Sequence, residues 1–351
     1  MKRLSIFIIS ILFTHLIVAQ CSTLLSAVER GDNSAVKTAL QDIGPNCIDS
    51  NSDPRTPLIM ALRKGHEGIA RLLITSGADV TKHHWNDENP LLAASGKGMT
   101  DLVDLMLKNG AKVNKRMNGD GTALIAAARS GHIETVRLLI NNGANVDILV
   151  RGDGTPLTMA IARGHADVAK LLLEGGADPN IGSRSDGYPI MLAIDHGDEA
   201  LIDMLIAKGV DLNKDFPGDG NALINACKRG NFKLVEALVS NGMNINNGVK
   251  GDGNPLIMAT AKGDEEIVKY LIAQGADVNY EITGDETPLI KACENKHLDL
   301  VKLLIANGAD VNKSSRDGSY LRSRLWTPLK MAKDRGTKEI VDYLLANGAK
   351  N

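Results

Sequence analysis

His83 and His84 stand side by side, and two adjacent imidazoles are a beginning of metal chemistry. A structural or catalytic zinc ion draws about four ligands, and this pair has no third partner at ligand spacing. Gly-Asp-Gly turns at Gly119–Gly121, Gly152–Gly154, Gly218–Gly220 and Gly251–Gly253 each offer one carboxylate. Calcium asks for about six oxygens or more, so the turns read as chain reversals, to which Gly and Asp are suited. Arg151-Gly152-Asp153 has the form of a cell-adhesion triplet, but Lys250-Gly251-Asp252 fills the same place in another copy of a repeated unit. No HExxH, GxSxG, Walker loop or paired CxxC occurs. The residues therefore predict no enzyme, no metal and no cofactor. A catalytic or ligand-binding protein using His83, His84 and nearby carboxylates is the alternative.

The repeated unit is the dominant signal. Steps of 33 residues from Thr56 land on TPLIMALRKG (56), NPLLAASGKG (89), TALIAAARSG (122), TPLTMAIARG (155), YPIMLAIDHG (188), NALINACKRG (221), NPLIMATAKG (254) and TPLIKACENK (287). A step lengthened to 40 reaches TPLKMAKDRG at 327, and a degenerate STLLSAVERG begins at 22, which makes ten copies. Position 1 of the unit is usually Thr or Asn, a side chain that caps a starting helix, and Pro at position 2 already has the helical φ. Position 6 is Ala in all ten copies, small enough for helices to approach closely. Position 10 is Gly in nine copies, from Gly31 to Gly336, with Lys296 in the ninth. Glycine reaches the positive φ that ends a helix. A second helix follows with apolar residues at i, i+3 and i+4, as in ADVAKLLLEGG, and stops at another glycine.

This pattern resembles the ankyrin repeat from about Ser22 to residue 351. The period, the TPLxxA opening, the pairs Gly65-His66, Gly131-His132 and Gly164-His165, and the GADVN close carry the resemblance. It implies an all-α solenoid of about ten stacked helix-turn-helix units with hairpin-like loops, and a concave binding face formed by the first helices and the loop tips. His66, His132 and His165 take the family's turn position, which implies a structural hydrogen-bonding role. Two departures bear on the hairpins. The family's histidine after TPL is replaced by Ile59, Leu92, Ile125, Thr158, Met191, Ile224, Ile257, Ile290 and Lys330, and the turn glycine stands directly before position 1.

Only 3% of residues are aromatic, so the core must be stacked from Leu, Ile, Val and Ala. Length alone suggests two domains, whereas the unbroken period predicts one elongated domain over 22–351. Polar residues in both end copies, such as Asp32, Asn33, Lys338 and Glu339, mark them as caps.

Residues 1–19 read as a secretory signal peptide: Lys2 and Arg3, an apolar run from Leu4, and a small residue at Ala19. The ending resembles exported bacterial proteins and predicts a periplasmic or secreted chain without a membrane span. Cys21 opens a rival reading, a lipid anchor, although Gln20 replaces the small residue expected before a lipidated cysteine. Cys227 and Cys293 share position 7 two copies apart, too far to bond, and read as buried apolar residues. Cys21 and Cys47 flank the first copy and are within reach of pairing, Cys47 standing where other copies have an inward valine.

Function should then lie on the repeated surface, and two rows stand out. Position 9 carries Arg30, Lys64, Lys97, Arg163, Arg229, Lys262 and Arg335, seven cations in ten copies. Removing Lys2 and Arg3 leaves 38 Lys and Arg against 42 Asp and Glu, a net charge of −4. The row is either helix C-terminal electrostatics or a basic stripe for an acidic partner. Position 29, at the loop tip, carries His84, Met117, Val150, Ser183, Phe216, Val249, Ile282 and Ser315, which either bury one another or form an apolar recognition ladder. Trp85 beside it, and the seven-residue insertion with Tyr320, Arg322, Arg324 and Trp326, add residue types that interface hot spots favour. These rows predict a protein partner. Nucleic acid, suggested by the basic row, is opposed by export and by the negative balance.

Overall fold

The computed structural model describes residues 20–48, 56–82, 89–117, 121–216, 220–281, 286–316 and 325–350. Twenty helices lie within them, two for each copy of the repeat. They are α1 (residues 20–30) and α2 (Asn33–Asp42), α3 (Pro57–Lys64) and α4 (Glu67–Thr75), α5 (Pro90–Gly96) and α6 (Thr100–Lys108), α7 (Ala123–Arg129) and α8 (Ile133–Asn141), and α9 (Pro156–Ala162) and α10 (Ala166–Glu174). The later pairs are α11 (Pro189–His196) and α12 (Glu199–Ala207), α13 (Ala222–Arg229) and α14 (Phe232–Ser240), α15 (Pro255–Lys262) and α16 (Glu265–Ala273), α17 (Pro288–Glu294) and α18 (Leu298–Ala306), and α19 (Pro328–Asp334) and α20 (Lys338–Ala346). Two-residue strands β1 (Ser315–Arg316) and β2 (Leu325–Trp326) pair antiparallel.

Packing divides the chain into a unit that ends at Leu192 and a unit that begins at Ala193. In the first, α3, α5, α7 and α9 pack in succession as one layer, and α2, α4, α6, α8 and α10 as the other. In the second, α13, α15, α17 and α19 follow one another, α14 lies on α16, and α18 lies on α20. Each helix is too short to be stable alone in water, so its stability comes from the face it buries on its neighbours.

The repeated residues do the work their types suggest. Thr56, Asn89, Thr122, Asn254 and their equivalents cap the first helices, each side chain accepting from the amide three residues on, as in Ile257 N to Asn254 Oδ1 at 2.7 Å. All ten position 6 alanines are buried. The turn after the first helix has positive φ, and Lys296 adopts it too, at 65°, although it carries a side chain. Gly336 is the exception among these glycines, for its φ is not positive. A Cβ there would lie 2.7 Å from the Ala332 carbonyl oxygen, so close approach and not handedness calls for glycine in the last copy. The end copies are polar as expected of caps: α2 buries only Val36 and Ala39, α20 only Ile340 and Leu344, whereas α10 buries five residues.

Candidate functional site

The loops between repeats are tight fingers. Met117 bridges Gly121, Val150 bridges Gly154, Ser183 bridges Gly187, Phe216 bridges Gly220 and Val249 bridges Gly253, each pair antiparallel. The two departures from the expected hairpin are one feature. Gly121, Gly220 and Gly253 have positive φ, and a Cβ on them would come within 3.2, 3.0 and 3.2 Å of Ile125, Ile224 and Ile257 at position 4. A branched aliphatic at position 4 thus fills the space that the glycine leaves.

The same geometry closes the apolar row. Met117, Val150 and Phe216 are 8%, 5% and 2% exposed, so they form no open recognition ladder; the bridge turns each side chain inward, and Met117 packs on Leu92 and Ala126. Ser315 is buried as well, and Ser183 and Val249 are half-buried. Trp326 is also buried, with the Lys330 ammonium 5.2 Å from its ring, while its strand neighbour Leu325 is exposed. His83, His84, Trp85, Ile282, Tyr320, Arg322 and Arg324 lie outside the described residues.

The basic row is half committed. Lys64 pairs with Glu29 at 3.1 Å, Arg229 with Asp195, and Arg335 with Glu294, each acid coming from position 8 of the copy before. Position 8 cations instead reach the Gly-Asp-Gly turns: Arg129 to Asp153 at 3.2 Å and Lys228 to Asp252 at 3.0 Å. Asp153 is thereby 7% exposed, and the adhesion-like triplet is a product of the repeat. Among the described residues, Lys97, Arg163 and Lys262 have no ion-pair partner. Lys291 sits between Glu286 at 2.5 Å and Glu294 at 2.8 Å. Burial pulls its pKa down, but the two hydrogen-bonded carboxylates outweigh burial and hold it above the usual lysine value.

Sequence reasoning missed an amide ladder. The last residue of GADVN reaches into the next copy, where its Oδ1 accepts from one backbone amide and its Nδ2 donates to a glycine carbonyl. Asn279 does so to Asp310 N at 2.8 Å and Gly308 O at 2.9 Å, and Asn114 to Asn145 N at 2.7 Å and Gly143 O at 2.9 Å. Asn46, Asn246 and Asn312 repeat the contact. The Asn that recurs at a 33-residue step, Thr81 and Asp147 excepted, was the signal, but spacing alone does not say that a side chain points across a repeat boundary. Position 11 supplies a second link. His132 and His165 place Nε2 at 3.1 and 3.2 Å from the Gly96 and Arg129 carbonyls of the preceding copy. His66 lies against Gly31, yet its buried Nε2 has no hydrogen-bond partner; the step from the first to the second copy is one residue longer.

A family model described as "Ankyrin repeats (3 copies)" matches residues 24–117, 92–183, 190–282 and 281–351, nearly the whole repeated region. The chain belongs to the ankyrin repeat family. A solved structure, the human ASB11 ankyrin repeat domain, is 24% identical, with a TM-score of 0.52 over 64% of this chain and 99% of that one. That likeness shows the fold. No curated protein matches the chain. Since 540 solved chains resemble it, an ankyrin fold by itself selects no partner.

The cysteines of this ankyrin chain fall into two classes. Cys21 and Cys47 are bonded, with 5.8 Å between their Cα atoms, and close the first repeat. Asn46 occupies the ladder position there, so Cys47 follows it and does not take the place of the inward valine. Cys227 and Cys293 are free and buried. Burial raises both thiols, that of Cys293 to about 12, and the Asp264 charge adds to the effect at Cys227. Among the described residues no three His, Cys, Asp or Glu side chains gather as a metal-ion set, and no helix is long and apolar enough to cross a membrane.

Proposed function

We propose that this ankyrin repeat chain is a non-catalytic scaffold that holds a protein partner on the face of its first helices and fingers, in an exported compartment. Ankyrin repeats are typically protein–protein interaction scaffolds, and the family is generally non-catalytic. The observation that carries the reading is the division of labour within each repeat. Caps, alanines, glycines and the asparagine ladder are spent on stacking, whereas the exposed ends of the first helices, such as Lys97 and Arg163, have no ion-pair partner among the described residues. A scaffold fixed in this way binds without having to order itself first. The unbroken period supports treating 22–351 as one repeat domain.

Export is supported by the leader-like residues 1–19 and by the Cys21–Cys47 disulfide, since such bonds persist in oxidising compartments. A sulfur bonded to Cys47 is not free to carry a thioether lipid, which favours cleavage to an unlipidated chain.

The test is capture by the native chain from the envelope and medium fractions of the source cell, with mass spectrometry of the chain recovered there. The expected result is a chain that begins near residue 20 with its first two cysteines oxidised, and a stoichiometric protein partner. That partner is lost when Lys97 and Arg163 are replaced by Glu. Recovery of the chain only from the reducing cytoplasm contradicts export, and a partner indifferent to these substitutions contradicts the assigned face.

A further inference from the structure

Charge is sorted within the first unit in a way the net charge hides. The first helices α3, α5, α7 and α9 contain no Asp or Glu, while the second helices α4, α6, α8 and α10 each carry an acid in the first turn: Glu67, Asp101, Glu134 and Asp167. The fingers of the same unit add Lys115, Arg116, Arg151 and Arg184, all exposed. Together with Lys97 and Arg163 they make six exposed cations, none with an ion pair or side-chain hydrogen bond among the described residues. Of the described acids of these fingers, Asp153 is neutralised by Arg129. Asp79, Asp147, Asp178 and Asp186 keep their charge and turn it to local neutral donors, Asp79 to the Thr81 amide at 2.8 Å, Asp147 to the Asp178 amide at 2.8 Å, Asp178 to the Asn180 amide at 2.8 Å and Asp186 to the Ser183 hydroxyl at 2.6 Å. The Arg129–Asp153 pair shows that helix ends and fingers border the same face.

In the second unit Arg229–Asp195, Lys228–Asp252, Arg335–Glu294 and the Lys291 cluster engage most cations of the corresponding rows, Lys250 and Lys262 having no ion pair among the described residues, whereas the first unit has Lys64–Glu29 and Arg129–Asp153. Helix-end electrostatics would favour cations in both units alike. It does not account for the finger cations Lys115, Arg116, Arg151 and Arg184 of the first unit, which stand outside any helix.

Resting on the scaffold reading above, we infer that the first-helix and finger face of repeats two to five docks an acidic, extended polypeptide segment. Packed helices lie about 10 Å apart and an extended chain advances about 3.3 Å per residue, so one Asp or Glu at every third residue would meet successive repeats. Single-stranded nucleic acid, which binds through aromatic stacking as well as charge, is the competing occupant that the oligo-dT arm of the test separates. Clustered cations of this kind steer association, and their effect falls with salt.

The experiment uses the full chain and a fluorescein-labelled poly-Glu peptide, read by fluorescence polarisation, with labelled oligo-dT and poly-Lys as parallel probes. Poly-Glu is expected to bind in a salt-dependent manner, more tightly than oligo-dT, with no response to poly-Lys. Replacing Arg116, Arg151, Arg163 and Arg184 by Gln should weaken binding about tenfold or more at unchanged circular dichroism. The pair Arg137→Gln and Lys170→Gln, on the second helices, should leave it unchanged. Equal loss in both variants, tighter binding of oligo-dT, or no poly-Glu binding overturns the inference. So does sedimentation that shows this face occupied by a second copy. If poly-Glu fails while the native partner is still captured and lost on the Lys97 and Arg163 substitutions, the scaffold reading stands and only the acidic chemistry of the partner is wrong.

Discussion

At Cys227 and Cys293 the chemistry of a side chain has been overridden by its surroundings. A thiol reacts as the thiolate, and burial disfavours that form. Both groups are therefore expected to resist iodoacetamide in the native chain at neutral pH and to label fully in denaturant, as read by intact mass. Labelling of either in the folded state would contradict their placement in the core. The caps and buried alanines were equally legible in the sequence, because Thr, Asn, Pro and Ala at fixed offsets have local jobs. Met117, Val150 and Phe216 were only half legible. Their row sits at a loop tip and left burial and recognition both open, and the bridge to a glycine four residues on decides it by folding the apolar side of the finger inward. Arg229 was legible as a cation but not as the partner of Asp195, 34 residues away.

The turn between paired helices is where element-level demands meet. Position 10 takes positive φ in every copy but the last, and at Gly31, Gly98, Gly131, Gly230 and Gly263 the next copy brings a side chain against it: a Cβ on Gly263 would lie 2.6 Å from the His297 ring. Lys296 meets the backbone demand without glycine, at the cost that any L-residue bears in the left-handed region. Lys296→Gly is expected to raise stability by about 1 kcal/mol. Gly263→Ala should lower it by about 2 kcal/mol or more, since strain and contact add. Urea unfolding followed by circular dichroism checks both, and a neutral Gly263→Ala would mean that the turn is not held by its neighbour. The sequence announced this glycine, yet the same residue at Gly336 serves a different need, which only the backbone path reveals.

Across the whole molecule, period and composition were enough to read an all-α repeat protein, because a 33-residue unit poor in aromatics has few other ways to bury its apolar face. The amide ladder and the sorting of charge between first and second helices were not readable as such. Both depend on which residues from different copies face each other. On the proposed reading, each repeat commits one set of residues to its neighbours and presents the first-helix and finger face to a protein. Hydrogen–deuterium exchange on the chain with its captured partner measures this directly. Added protection is expected in the first helices and fingers, with the second helices unchanged; protection confined to the second helices would contradict it.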